Sequence, residues 1–473
     1  MAEDNNCDSE RRNMPKQKKN LTYDEMRRKI ESPDAVIHFI GIGGVSMYTL
    51  SRLALDAGYN VTGSDRVIGY RTRDLVLRGV TVHIGHSASN VQGATLAVYS
   101  HAVSADNPEL TGAKDMGIPT VSRAEFMGAV MLEYKSRIGV CGTHGKSTTV
   151  AMLDAIFSSA LREPTTLSGA DLQIGEPIRI GNSELLLYEA CEYRDSFLHF
   201  SPTVAVALNL ELDHTDYFPD IKALRASFRK ALSRATDFCV VNYDDGQLCE
   251  LIPSIKGRVV TFGQSERADY RYLITAFRDT GMEITLYHHG TRVRKFKLSI
   301  PGVHNASNAA AAITVALEYG LDADTVAGAI ESFRGIHRRL EYVGDRFGRA
   351  VYYDYAHHPT EIAASINALK LLTHDMVTVV FKPHTYTRTA SLWSDFSSSL
   401  SLADHIILTD IYPAREEPIE GISSQALALD IGDRAIYSSD SEVCDNVDAY
   451  TRGVIVVMGA GELEHIKDEL IAK

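Results

Sequence analysis

Cysteine is scarce and dispersed in this 473-residue chain. Cys7, Cys141, Cys191, Cys239, Cys249 and Cys444 form no CxxC pair, which argues against a zinc site or a disulfide framework and fits a reducing cytosol. Most of them are expected to serve as small buried apolar groups. No apolar run is long enough to span a bilayer, so no membrane association is expected. The first 20 residues lack the apolar centre of a signal peptide, and a cytoplasmic location is the expectation. Basic residues are not in excess either. A formal net charge of -13 gives no sign of a nucleic-acid surface, although local basic sites for phosphates remain compatible with it. No short-period repeat and no low-complexity linker interrupts the chain.

What is present is an ordinary globular composition at a length too great for one core, and three domains are expected. Residues 1–30 read as a polar tail. In 31–134, the run Val36 to Ile40, a glycine-rich turn, helical spacing from Met47 to Ala57 and a second run at Tyr59 to Gly63 spell strand, turn, helix, strand. Further strands at Val80 to Ile84, Thr95 to Ser100 and Ile118 to Val121 make this a parallel α/β unit resembling half a dinucleotide-binding fold. A second unit, 135–334, opens with strand Arg137 to Cys141 and a helix from Thr148 to Ser158. It continues with apolar runs at Leu185 to Tyr188, Val204 to Leu208 and Phe238 to Val241, a hairpin (Met282 to Tyr287, Val293 to Leu298) and an Ala-rich helix from Asn305 to Tyr319. The third, 335–473, carries strands at Ala350 to Asp354, Met376 to Phe381, His405 to Thr409 and Val454 to Met458. The fold class is α/β: a Rossmann-like N-terminal domain, a P-loop ATPase-type central domain and a Rossmann-like C-terminal domain.

Between its strand and helix, Gly142-Thr143-His144-Gly145-Lys146-Ser147-Thr148 has the composition of a phosphate loop. Glycines let backbone N–H groups close on phosphate oxygens, Lys146 adds a point charge, and the Ser147 hydroxyl can reach Mg²⁺. The match to GxxxxGK[ST] is partial, because Val140 stands where the first glycine belongs. Glu189 and Glu192 follow one strand, and Asn209, Asp213 and His214 follow another, which puts them at the strand ends where ligands of α/β sheets bind. Taken singly they read as loop polar groups or helix caps. A second turn, Gly41-Ile42-Gly43-Gly44-Val45-Ser46, also opens a helix, with Asp65 at the end of the next strand. Ser46 replaces the third glycine of GxGxxG, and the turn suits a dinucleotide and a nucleotide-sugar equally. Two phosphate loops on two units suggest two phosphorylated ligands used together, the pattern of a ligase or transferase.

Across nearly all of residues 36 to 471 the sequence resembles the Mur ligase family. The Gly142 to Thr149 segment is similar to the family's ATP loop; Glu189-Ala190-Cys191-Glu192 and Asn209 to His214 resemble its metal-binding segments; Gly302 to Ala309 resembles its nucleotide-base segment. Four pieces, Gly41 to Met47, His337-Arg338-Arg339-Leu340-Glu341, Asp354-Tyr355-Ala356-His357-His358-Pro359-Thr360-Glu361 and Pro383 to Thr389, resemble members that attach the first amino acid, L-alanine, to UDP-N-acetylmuramate.

The resemblance implies ATP and Mg²⁺ as cofactors and UDP-N-acetylmuramate and L-alanine as the other substrates. Lys146 would hold the phosphates within a loop of Gly142, Thr143, His144, Gly145, Ser147 and Thr148. Ser147, Glu189 and His214 would place magnesium. His304, Asn305 and Asn308 would contact adenine, with Asp354 at the ribose and Arg339 in the same nucleotide site. Gly41, Gly43, Gly44, Ser46 and Asp65 would bind the sugar nucleotide, and Tyr355, His357 and Arg388 would face the amino acid. Lys146, His214, His357 and Arg388 make up the implied catalytic set. Two positions depart from the family: Thr385 stands where many relatives carry a second arginine, and Phe228 where later-acting ligases carry a modified lysine. The residues alone leave His357-His358 readable as a helix entry before Pro359 and Arg338-Arg339 as a solvated pair. A monomer or weak homodimer is expected. The competing readings are attachment of a preformed peptide, a nicotinamide-dependent dehydrogenase, and a nucleotide-gated binding protein.

Overall fold

A computed structural model describes residues 23–30, 32–215, 217–278, 281–414, 416–450 and 452–472. Most of the polar tail, with Cys7, lies outside them. The described residues fall into two compact units, one reaching to Glu133 and including His199–Ser201, the other comprising Tyr134–Leu198 and the chain from Pro202 onward.

In the first unit the apolar runs pair as five parallel strands in the order Thr81–Ile84, Asn60–Asp65, Val36–Ile40, Leu96–Tyr99, Thr120–Ser122. Ile37, Phe39 and Ile40 are fully buried, as expected for a central parallel strand covered on both faces. The order reverses beside Val36–Ile40, so its C-terminal end is the switch point at which α/β sheets take ligands. The glycine turn leaves from that point.

In the second unit one sheet runs Thr291–Leu298, Gly281–His288, Tyr270–Arg278, Arg258–Gly263, Phe238–Asn242, Val204–Ala207, Ser136–Cys141, Leu185–Glu189, Thr165–Leu167, Ile178–Arg179. Its middle is parallel, and both ends turn antiparallel. The expected hairpin is one half of a three-stranded meander. Arg258–Gly263 and Tyr270–Arg278 were not anticipated, because arginines and short alternation mask the buried Val260, Phe262, Tyr270 and Tyr272. The Ala-rich helix Val303–Glu318 packs on Lys146–Ser159, and Ala309 to Ala312 are fully buried. Methyl-sized side chains let the two helices approach closely, which fixes the phosphate loop that begins the second.

The remaining sheet of this unit runs Glu341–Arg346, Arg349–Asp354, Val454–Met458, Val377–Phe381, His405–Leu408, Ala435–Tyr437, parallel except for its first pair. Asp354 ends one strand, and the helix Pro359–Thr373 starts after a short loop, capped by the His358 side chain and with Pro359 in its first turn. Among the described cysteines only Cys141 and Cys239 are buried; Cys191, Cys249 and Cys444 are half-buried because they sit in loops or at helix edges, so the expectation that most are buried is not met. Among the described residues no helix is long and apolar enough to cross a membrane.

Candidate functional site

The turn after Ser136–Cys141 has to reverse within four residues and open a helix. It does so with Gly142 at φ 146° and Gly145 at φ 83°, backbone states that a side chain would strain. A Cβ on Gly145 would collide with the Asn308 carboxamide. The turn is bolted to the segment following Val204–Ala207. Asn209 Oδ1 accepts from the His144 N–H at 2.8 Å, its Nδ2 donates to the His144 carbonyl at 3.1 Å, and the Thr143 hydroxyl donates to the Glu211 carbonyl at 3.0 Å. Thr143, Ser147 and Thr148 are buried.

Lys146 Nζ donates to the carbonyls of Gly142 (2.5 Å) and Thr143 (3.1 Å) and lies 3.3 Å from Glu192. Burial works against the ammonium, but the Glu192 carboxylate outweighs it and holds the Lys146 pKa above its ordinary value, so the cation persists at neutral pH. Glu192 is itself 2% exposed and reaches His214, whose Nε2 lies 3.7 Å from its Oε1. His214 adopts φ 55° and packs at a tilt against Tyr193, with ring centroids 4.6 Å apart. Glu189 accepts from the Gly169 N–H at 2.5 Å and the Ser168 hydroxyl at 3.3 Å. Ser147, Glu189 and His214, with Glu192 beside the last, offer a hydroxyl, carboxylate oxygens and an imidazole next to a phosphate loop, a donor set that fits a hard divalent cation bound with nucleotide. Phe228 is fully buried against Phe197, 5.2 Å between centroids, so that position holds no group that can reach a cation.

Past the loop lies a cavity of about 210 Å³ with two kinds of wall. Leu208, Ile300, Ile336 and Leu340 supply apolar surface; His144, His304, Asn305, Asn308, Arg339 and Asp354 supply polar groups. Asn305 Nδ2 donates to the Pro301 carbonyl at 2.7 Å, and Asn308 Nδ2 to Asn305 Oδ1 at 3.3 Å, so both amides are held in fixed orientation. Burial pushes His304 down to about 4, leaving it neutral, and pushes Asp354 up to about 6, with Ser365 donating to its carboxylate. Burial would also depress His144. The carboxylates of Glu361, 3.1 Å from Nδ1, and Glu211, 3.5 Å from Nε2, instead hold it up to about 9 as an imidazolium.

Around Arg388 the chain gathers the remaining expected residues of this unit. His357 Nδ1 lies 3.0 Å from the Tyr355 carbonyl, which can only accept, so Nδ1 carries the proton and Nε2 is left as an acceptor. Burial lowers His357 to about 4. The Tyr355 ring is covered by the guanidinium groups of Arg338 (4.8 Å) and Arg339 (5.4 Å), which are therefore stacked rather than a solvated pair. Arg388 lies 3.2 Å from Asp213 and 3.3 Å from His384 Nδ1. Thr385 sits at φ 65° and caps the short helix Tyr386–Ser391, its hydroxyl accepting from the Arg388 N–H.

In the first unit, Gly41 takes φ 80°, and the N–H groups of Gly41 and Ile42 both donate to the Ser64 carbonyl. Asp65 Oδ2 accepts from the Gly43 N–H at 2.8 Å. The unfilled donors are therefore those that open the helix Val45–Asp56, where Gly44 is the N-cap and Ser46 lies in the first turn.

Sequence reasoning singled out the loop, the base segment and the Arg388 segment, and the structure gathers these around one cavity and its neighbourhood. It passed over Glu211, Thr360 and Glu361 as site residues. Glu361 three residues after His358 reads as helix-start grammar, and only the fold turns its carboxylate toward His144. Glu192 was legible in the acidic pair, Glu189 and Glu192, after the apolar run Leu185 to Tyr188, but its contact with Lys146 was not.

Three family models match the chain: "Mur ligase family, catalytic domain" over residues 36–135, "Mur ligase middle domain" over 140–316, and "Mur ligase, glutamate ligase domain" over 338–462. The UDP-N-acetylmuramate–L-alanine ligase of Caldicellulosiruptor bescii is 40% identical over 445 residues, covering 92% of this chain and 98% of the relative. That of Alkaliphilus metalliredigens is 38% identical over 448 residues, covering 92% and 97%. Among solved structures, UDP-N-acetylmuramate-alanine ligase from Thermotoga maritima superimposes with a TM-score of 0.80 at 27% identity, covering 92% of this chain and 98% of that one. A MurF ligase of the same organism, in complex with ADP, shares the fold at 16% identity and a TM-score of 0.60, over 87% and 93%.

Proposed function

The chain belongs to the Mur ligase family, and from that premise we propose that it joins L-alanine to the lactyl carboxylate of UDP-N-acetylmuramate, converting ATP to ADP and phosphate, in the synthesis of peptidoglycan precursors. The observation that carries this reading is an unbroken line of contacts. Lys146 meets Glu192, Glu192 meets His214, the His214 N–H meets Asp213, and Asp213 meets Arg388. A phosphate-holding cation and a carboxylate-holding cation stand at the two ends of one polar chain, as an amide ligase driven by phosphoryl transfer requires.

An amide does not form from a carboxylate in water without activation. In this reading the lactyl carboxylate attacks the γ-phosphorus of ATP, the bond to the ADP oxygen breaks, and an acyl phosphate results. The α-amine then attacks its carbonyl carbon, phosphate leaves, and the amine gives up a proton. Lys146 offsets negative charge on the transferring group. Magnesium, held by Ser147, Glu189 and His214 with Glu192 close by, supplies further charge neutralisation when bound. His304, Asn305 and Asn308 take the adenine, with Asp354 and Arg339 nearer the ribose. Arg388 takes the carboxylate of L-alanine beside Tyr355, and His357, neutral with Nε2 free to accept, is the group placed to hold the amine proton. The first-unit turn, Gly41, Gly43, Gly44 and Ser46 with Asp65, takes the sugar nucleotide.

Domains of 31–134 for the sugar nucleotide, 135–334 for ATP and 335–473 for the amino acid belong to the same reading. So do a cytoplasmic location, where ATP and nucleotide-sugars are available, and a monomer or weak homodimer.

The test is incubation of purified protein with ATP, Mg²⁺, UDP-N-acetylmuramate and single amino acids, following phosphate release and product mass together. Phosphate release with an adduct one alanine heavier is expected. An adduct only with a preformed peptide, or ATP turnover indifferent to both acceptor and amino acid, would overturn the reading.

A further inference from the structure

The guanidinium expected to take the amino acid's carboxylate is already engaged. Arg388 Nη1 lies 3.3 Å from His384 Nδ1 and Nη2 lies 3.2 Å from Asp213 Oδ1, so each of the terminal nitrogens that a carboxylate takes in bidentate fashion already has a partner. Arg388 and Asp213 are largely buried, with side-chain exposures of 16% and 15%. His384 is kept neutral, first by burial and then by Arg388 itself, which leaves Asp213 as the charged partner in contact with the guanidinium. Position 385, where a second cation could have stood, is a threonine committed to capping its helix. Asp213 also faces the other way. Its Oδ1 accepts from the His214 N–H at 2.7 Å, supporting the φ 55° backbone of His214, and its Oδ2 lies 3.9 Å from His214 Nε2.

We infer that Asp213 is a specificity-setting and positioning residue. Its carboxylate stands in for that of the amino acid on Arg388, is exchanged for it when the amino acid binds, and thereby reports amino-acid occupancy to His214. The inference rests on the reading of Arg388 given above. Two carboxylates cannot share the same guanidinium edge without repulsion, so a ligand must bring a carboxylate of its own to displace Asp213, and an amine alone does not suffice. The displaced carboxylate keeps the His214 N–H, so its movement is passed to the backbone of His214. Binding at Arg388 is thus coupled to the residue proposed to place magnesium.

Full-length protein carrying Asp213→Asn, Asp213→Ala or Arg388→Lys tests this by steady-state kinetics with each of the three substrates varied. Asparagine keeps the oxygen that accepts from the His214 N–H and removes the charge. It should lower the KM for L-alanine by about threefold to tenfold and leave the KM values for ATP and UDP-N-acetylmuramate unchanged. Alanine removes both functions and should in addition lower kcat about tenfold or more and raise the Mg²⁺ concentration needed for half-maximal rate. A purely structural role for Asp213 would move all three KM values together or none. An L-alanine KM that is unchanged or raised in Asp213→Asn overturns the inference. Arg388→Lys separates the two layers: if it leaves the L-alanine KM unchanged, the assignment of Arg388 itself falls; if it raises that KM while Asp213→Asn has no effect, only the exchange falls. The unmutated protein gives an independent measurement, since a crystal structure with L-alanine bound should show Arg388 on the ligand carboxylate and Asp213 more than about 4 Å away. Retention of both contacts overturns the exchange.

Discussion

The chain has two glycine-rich turns that leave a parallel strand and open a helix, and they are finished differently. At Gly142–Thr148 the turn carries a lysine whose charge is reinforced by a buried glutamate, and its amides are bolted to Asn209. At Gly41–Ser46 there is no cation in the turn, and a carboxylate, Asp65, already occupies the Gly43 amide. Similar backbone grammar therefore supports two electrostatic designs. In the proposed reading, one would stabilise charge that moves during reaction, and the other would hold a ligand by helix-start amides while the Asp65 carboxylate keeps the turn in shape. On the proposed assignments, the first is where phosphoryl transfer takes place and the second is an anchor.

The sharpest way to break that contrast is Lys146→Ala. Turnover should fall by about a thousandfold or more while the melting temperature stays within a few degrees, because the ammonium serves the transferring phosphate; comparable loss of both would make Lys146 structural. Next comes a pair of matched glycine substitutions. Gly145→Ala must place a methyl at φ 83° against Asn308, and should weaken ATP binding about tenfold to a hundredfold and lower stability by about 1–3 kcal/mol. Gly43→Ala brings a methyl to 2.9 Å from Asp65 Oδ2, and should raise the KM for the sugar nucleotide about tenfold with that for ATP unchanged. If each substitution affects both substrates alike, the two turns do not divide the work. A smaller effect is expected from Asp354→Asn, a threefold to tenfold rise in the KM for ATP, read against an unchanged KM for L-alanine.

The smallest effect is one of pH. His144 has a folded pKa near 9, above the ordinary value of 6.5, so its pairing with Glu361 and Glu211 stabilises the fold fully below about pH 6.5 and is lost as pH rises through 9. The loss should be at most about 3 kcal/mol, measured as unfolding midpoints from pH 6.5 to 9.5. Glu361→Gln should flatten that dependence, and an unchanged slope would show that the pair contributes nothing.

The strands and helices around both turns were legible because period-two and period-3.6 patterns survive in them: Val36–Ile40, Ser136–Cys141 and Val303–Glu318 all stand within a few residues of where the pattern puts them. Tyr270–Arg278 was not legible, since its inward tyrosines alternate with an arginine and with half-buried residues. The phosphate loop and the base segment were readable from residue types at fixed spacing. Glu361 was not, as it matches the ordinary role of a helix-start glutamate; Asp213 was legible as a strand-end acid, but its contact with Arg388 was not.

The sequence by itself determined the three α/β layers, the two phosphate turns and the identity of the groups that can hold charge, because local spacing dictates backbone periodicity and side-chain chemistry. Only the tertiary structure decided which charges meet. The contacts of Lys146 with Glu192, His144 with Glu361 and Arg388 with Asp213 join positions 46, 217 and 175 residues apart. Pairings at such separations are set by how sheets and helices pack, and no local pattern encodes them.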